Sequence, residues 1–129
     1  MASVEAHMSR DLVTVGEDDR LDAAAARMAE RLVGAALVLD GERLVGILTE
    51  RDVLNAVAAG GVETALVSRW MTRGPETIEP GDTTDEAAVL MIHGGFRHLP
   101  VMDGATIVGV LSIRDLVRIA LVDSAPRGA

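Results

Sequence analysis

The stretch GILTERD, Gly46–Asp52, returns 63 positions later as GVLSIRD, Gly109–Asp115. Each copy is a Gly, an apolar pair, a hydroxyl residue, one variable residue and Arg-Asp. An apolar β-type run meeting a hydroxyl-x-x-acid pattern reads as a strand that ends where a helix is capped. The same offset of 63 extends outward without a gap. Met8 matches Met71, Thr14 matches Thr77, Asp19 matches Asp82 and Met28 matches Met91. Further on, Val38 matches Val101 and Asp40-Gly41 matches Asp103-Gly104. A register held over this span marks an internal duplication.

Each copy spells the order β-α-β-β-α. A short extended piece, LVTV or PETI, precedes an acidic turn. A helix is predicted over 20–33 and again over 83–93. In the first, Leu21, Ala24, Ala25, Met28 and Leu32 recur at helical spacing. In the second, Thr83 and Glu86 have capping-box form. The strand AALVL or HLPVM follows, then a hairpin turn at Asp-Gly. The return strand LVGIL or IVGVL leads into the second helix at Thr49 or Ser112. VEAHM and VSRWM are expected to open each copy with a helical turn.

The fold class is therefore mixed α/β (α+β), with two β-α-β-β-α repeats. The expected division is repeat one over 1–60, a linker over 61–69, repeat two over 70–122 and a flexible, frayed tail over 123–129. A unit of this size with two or three strands buries too little surface alone. The repeats are expected to pack on each other about a pseudo-two-fold axis.

Composition narrows the function. The chain has 129 residues, 49% of them hydrophobic, with Trp70 and Phe96 the sole aromatic residues. It has no cysteine, which excludes disulfides and thiol chemistry. It has no lysine, which excludes Schiff-base chemistry and a P-loop lysine. A net charge of −8 disfavours a nucleic acid polymer or an anionic membrane as partner. No apolar run has membrane-span length, and the N-terminus lacks a signal-peptide core. The expectation is a soluble cytoplasmic protein without membrane insertion.

Several side chains invite chemistry and are set aside. His7, His93 and His98 are scattered, with no ligand spacing around them, so no metal is expected. Glu17-Asp18-Asp19 lacks the alternation of a calcium loop. Met28 and Met91 are expected in the core. Trp70, whose repeat partner is His7, is expected to cover a seam between copies or a dimer contact. No catalytic constellation is legible, so an enzyme is not expected.

The duplicated junction supports two readings. Capping alone accounts for Thr49 or Ser112 and for Asp52 or Asp115. It does not account for Arg51 and Arg114, because a cation in the first helical turn opposes the dipole. A bound ligand accounts for all of them. Free N–H groups and an arginine fork would hold a phosphate, and a carboxylate would accept from ribose hydroxyls. The preceding Gly and small apolar residues would let a flat base approach the strand.

MTRGPETIEP…AVLMIHGGFRHLPVMDGATIVGVLSIRDL resembles a cystathionine β-synthase (CBS) domain, and MSRDLVTVGEDDRLDAAAARMAERLVGAALVLDGERLVGILTERDVL resembles another. Together they are similar to a tandem CBS pair, or Bateman module, over roughly residues 5–122. The resemblance implies a stand-alone regulatory protein that binds adenosine-type ligands (AMP, ADP, ATP or S-adenosylmethionine) in clefts between the repeats. It implies signalling to an unknown enzyme or transporter, commonly as a homodimer, with no obligatory cofactor. The alternative is a nucleotide-independent dimerisation scaffold with empty pockets. Carried over by position, Asp52 and Asp115 would hold ribose, and Thr49 and Ser112 would bond ribose or phosphate. Arg51 and Arg114 would meet phosphate. The backbone at Thr14-Val15 and Thr77-Ile78 would read the adenine edge. The strands at Ala36-Leu37-Val38 and Leu99-Pro100-Val101 would form an apolar wall, entered past the basic pair Arg97-His98. Copy one has Gly34-Ala35 in place of that pair, so unequal sites are expected.

Overall fold

The structure is a computed structural model and describes residues 2–124. All but the first residues of the expected tail lie outside that range. Helices and strands appear in the order α1 (Val4–His7), β1 (Thr14–Gly16), α2 (Leu21–Arg31), β2 (Ala35–Asp40), β3 (Arg43–Thr49) and α3 (Glu50–Ala59). They continue as α4 (Val67–Trp70), β4 (Thr72–Arg73), α5 (Thr84–Gly94), β5 (His98–Asp103), β6 (Thr106–Ser112) and α6 (Ile113–Ser124). Among the described residues no helix is long and apolar enough to cross a membrane.

The chain forms two compact units. One is Asp11–Pro75; the other joins the chain up to Arg10 to the chain from Glu76 onward. The units and the sequence repeats thus divide the chain differently. Each repeat's opening turn docks on the body of the other repeat. The amide of Val67 donates to the Asp19 carbonyl at 2.9 Å, and the amide of Val4 donates to the Asp82 carbonyl at 2.8 Å. Val4 and Val67 are both fully buried, each in the core of the unit it joins.

In the Asp11–Pro75 unit the sheet order is β1-β2-β3-β4. β1 runs parallel to β2, and β2–β3 is an antiparallel hairpin with Ala36 opposite Leu48 and Val38 opposite Gly46. One face of this sheet packs Val13, Val15, Ala36, Val38 and Leu48 against Leu21, Ala24 and Met28 of α2. Each large aliphatic side chain so buried contributes about 1.5–3 kcal/mol. The second unit repeats the design. β5–β6 forms the hairpin, Ile78 bridges to Val101 in parallel, and Ser9 bridges to Val110 antiparallel. Leu99, Val101 and Leu111 pack on Ala87 and Met91 of α5, with Ile78 and Val4.

Two expectations, for Leu32 and for the glycines before the junctions, need correction. Leu32 does not extend the apolar face of α2. The helix ends at Arg31, and Leu32 is 87% exposed in the left-handed conformation with φ 57°. The amide of Leu32 donates to Ala29 and that of Val33 to Met28, a Schellman closure that satisfies the last carbonyls. Trp70, from the opening turn of the second repeat, packs on the core built mainly from the first repeat, with the Arg69 guanidinium 6.0 Å from its ring centre. The glycines before the junctions do not leave room for a base. A Cβ on Gly46 would stand 2.9 Å from both the Met71 sulfur and the Thr72 carbonyl oxygen. On Gly109 it would stand 2.6 Å from the Met8 sulfur and 2.8 Å from the Ser9 carbonyl oxygen. The space is filled by the docked segments themselves.

Candidate functional site: the duplicated strand-to-helix junction

Both junctions close as reciprocal capping boxes. The Thr49 hydroxyl accepts from the Asp52 amide at 3.3 Å, while Asp52 Oδ2 accepts from the Thr49 amide at 2.8 Å and from its hydroxyl at 3.1 Å. The second junction matches almost atom for atom. Ser112 Oγ accepts from the Asp115 amide at 3.2 Å, and Asp115 Oδ2 accepts from the Ser112 amide at 2.8 Å and hydroxyl at 3.1 Å. Capping therefore explains the hydroxyl and one carboxylate oxygen in each copy.

It leaves the other oxygen and the arginines unexplained. Among the described residues Asp52 Oδ1 accepts no hydrogen bond, and Asp115 Oδ1 accepts one, from Arg118 at 3.3 Å. Arg51 and Arg114 are exposed and form no ion pair among the described residues. Each guanidinium stands in the first turn of its helix, against the dipole and without a partner among the described residues. Arg118 escaped the sequence reading, although an arginine three residues after an acid on a helix is a recognisable pair.

Strand alternation sorts the remaining candidates. In the first copy Val15, Ala36 and Val38 put their side chains into the core, so they offer a ligand only backbone. Leu37, in register with Thr14, lies on the opposite face and is the positional equivalent of Pro100, so within the strand Ala36-Leu37-Val38 it is the residue whose side chain faces away from the core. Thr49 also lies on that face, opposite Ala35. In the second copy Ile78 is likewise core. His98 stands opposite Ser112, and Pro100 two residues along shares their face. Arg97 precedes this strand, is exposed, and accepts the Ile113 amide on its carbonyl at 2.8 Å. The second copy thus gathers His98, Pro100, Ser112 and Asp115 around one junction, with Arg97 and Arg114 nearby in sequence.

The edge backbone differs between copies. Parallel pairing uses alternate residues. Leu37 donates to the Val13 carbonyl, so Thr14 turns its own groups away from β2. Ile78 donates to Pro100 and accepts from Met102, so Thr77 is the outward residue of its copy. The Thr14 carbonyl already accepts from Arg27 Nη1 at 2.5 Å. Thr77 has no such partner among the described residues.

The CBS domain family matches residues 3–59 and again 67–122. The chain belongs to the CBS domain family, as a tandem pair. Among CBS relatives and other similar proteins, a 17.7 kDa protein of Acidianus ambivalens is 33% identical over 125 residues, covering 95% of this chain and 71% of that protein. The CBS domain-containing protein CBSCBSPB2 of Arabidopsis thaliana is 38% identical over 104 residues, and this chain spans only 19% of its length. A CBS domain protein of Pyrobaculum aerophilum, solved in complex with AMP, is 29% identical with a TM-score of 0.84, covering 94% of this chain and 96% of that one.

Proposed function

We propose that this CBS pair is a regulatory module. It binds an adenosyl ligand, an adenine nucleotide or S-adenosylmethionine, at its strand-to-helix junctions and passes occupancy to a separate enzyme or transporter. The observation that carries the reading is the twice-built junction itself. In each copy a capping carboxylate keeps an oxygen directed away from its cap, and an exposed arginine opposes the helix dipole without a partner among the described residues. A diol and a phosphate on one small molecule satisfy both groups at once. The AMP complex of the Pyrobaculum relative supports the choice of ligand class. Signalling follows from differential affinity: ligand shifts the conformational balance only by the difference in its affinity for the two states. Isothermal titration with AMP, ADP, ATP and S-adenosylmethionine tests this. Saturable binding of at least one, weakened in Asp115→Asn, is the expected result; no heat with any of them at millimolar concentration overturns it.

A specific feature favours a second role, self-association as a homodimer. Helix α5 exposes Val89 and Ile92, and α6 exposes Val117, Leu121 and Val122. Such apolar residues on helical faces suit a second copy of the chain. Light scattering reads the mass directly. A dimer that persists without nucleotide, together with silent titrations, would make the scaffold role the whole function.

A further inference from the structure

The two copies differ at one acceptor. The Thr14 carbonyl is an outward-facing edge group of β1, and Arg27, projecting from α2, donates to it at 2.5 Å. The residue 63 positions on from Arg27 is Leu90, which packs partly buried against the core of the other unit. The Leu90 side chain has no donor, and the Thr77 carbonyl accepts nothing among the described residues. An outward carbonyl beside its own amide offers an acceptor and a donor together, the complement of an amino group next to a ring nitrogen. In the first copy a permanent cation already occupies half of that pair.

We propose that Arg27 is a built-in competitor for the base, so that the first copy is the weak adenosyl site and the Thr77–Ser112–Asp115 copy the strong one. The inference rests on the adenosyl reading above and adds the residue that makes the copies unequal. The Arg118–Asp115 pair does not cancel the difference. It engages one carboxylate oxygen at 3.3 Å from a largely exposed guanidinium, and such exposed pairs contribute little. Arg27, also exposed, makes a shorter charge-assisted bond, to a backbone acceptor that has no other partner among the described residues.

The test is calorimetric titration with AMP of the full chain, wild type against Arg27→Leu and Arg27→Lys. Arg27 lies on an exposed contact, so both variants should fold, and thermal melts check that they do. Wild type should show one strong and one weak site. Arg27→Leu should strengthen the weak site about tenfold, the equivalent of one competing charge-assisted hydrogen bond, and leave the strong site unchanged. Arg27→Lys, which keeps a donor, should stay closer to wild type. The gain should vanish when Asp52→Asn is added and survive when Asp115→Asn is added. Two equal sites in wild type, an unchanged weak site in Arg27→Leu, or weaker binding there would overturn the proposal while leaving the adenosyl reading intact. No AMP binding in any of the proteins would overturn both.

Discussion

Met71 seats its sulfur against Gly46 so closely that no side chain fits between them. A Cβ at position 46 would stand 2.9 Å from the sulfur and 2.9 Å from the Thr72 carbonyl oxygen. β4 pairs with β3 at this point, Gly46 opposite Arg73. Met8 and Gly109 repeat the relationship in the other unit. The methionine can shift, but the backbone oxygen is fixed by the pairing. Gly46→Ala and Gly109→Ala should each cost about 1–3 kcal/mol, as overpacking does. Urea unfolding reads this as a lower midpoint with an unchanged slope.

Leu32 holds a left-handed conformation at the end of α2, where the other copy has Gly95 with φ 72°. The conformation costs a side-chain-bearing residue roughly 1–2 kcal/mol. The 87% exposed leucine recovers almost nothing by burial. Part of the gain is lost to the greater freedom of glycine in the unfolded chain. Leu32→Gly should therefore raise stability by about 0.5–1 kcal/mol, seen as a melting temperature a few degrees higher. A lower melting temperature would show that the Leu32 side chain has a contact worth keeping.

Asp115 serves its helix and, on this account, the ligand. At this third helical position Asn keeps a side-chain oxygen that can accept from the Ser112 amide and loses only the charge that the helix dipole favours. Asp115→Asn should hold stability within about 1 kcal/mol and weaken adenosyl binding about tenfold, since a charged acceptor for the ribose hydroxyls is replaced by a neutral one. Chemical denaturation and calorimetry on the same sample separate the two effects. Equal affinity in the variant would remove Asp115 from the site.

Arg114 is assigned to phosphate alone. Arg114→Ala should reduce AMP affinity roughly tenfold and leave adenosine affinity unchanged. Removing a cation from the first helical turn should leave stability the same or slightly higher. Parallel titrations with AMP and adenosine show the difference; an equal loss for both ligands would mean that Arg114 acts on the nucleoside or on the fold.

Much of the architecture is legible in the sequence because both its signals are local. The offset of 63 fixes the duplication, and period-two and period-3.6 patterns place the hairpins and helices. The capping boxes at Thr49 and Ser112 can be read from four residues each. The docking of each opening turn on the other repeat's body depends on which partner Val4 and Val67 choose, and a duplicated sequence offers both equally. Gly46 and Gly109 were misread for this reason, because the group filling their space arrives from 25 and 101 residues away along the chain. The candidate site was legible in its acids and arginines, which stand in the motif itself. Which residue of the wall strand Ala36-Leu37-Val38 faces away from the core is hidden in the sequence, because all three are apolar. Arg27 could not be seen, since its partner is a backbone carbonyl 13 residues distant whose direction is set by strand pairing.

The central claim is that each junction is a receptor for a ribose and a phosphate as well as a helix cap. Isothermal titration of the purified wild-type chain with AMP tests it most directly. The account predicts saturable heat that is reduced in Asp115→Asn and in Arg114→Ala. A flat titration with AMP, repeated with ADP, ATP and S-adenosylmethionine to millimolar concentration, would contradict it and leave the junctions as caps alone.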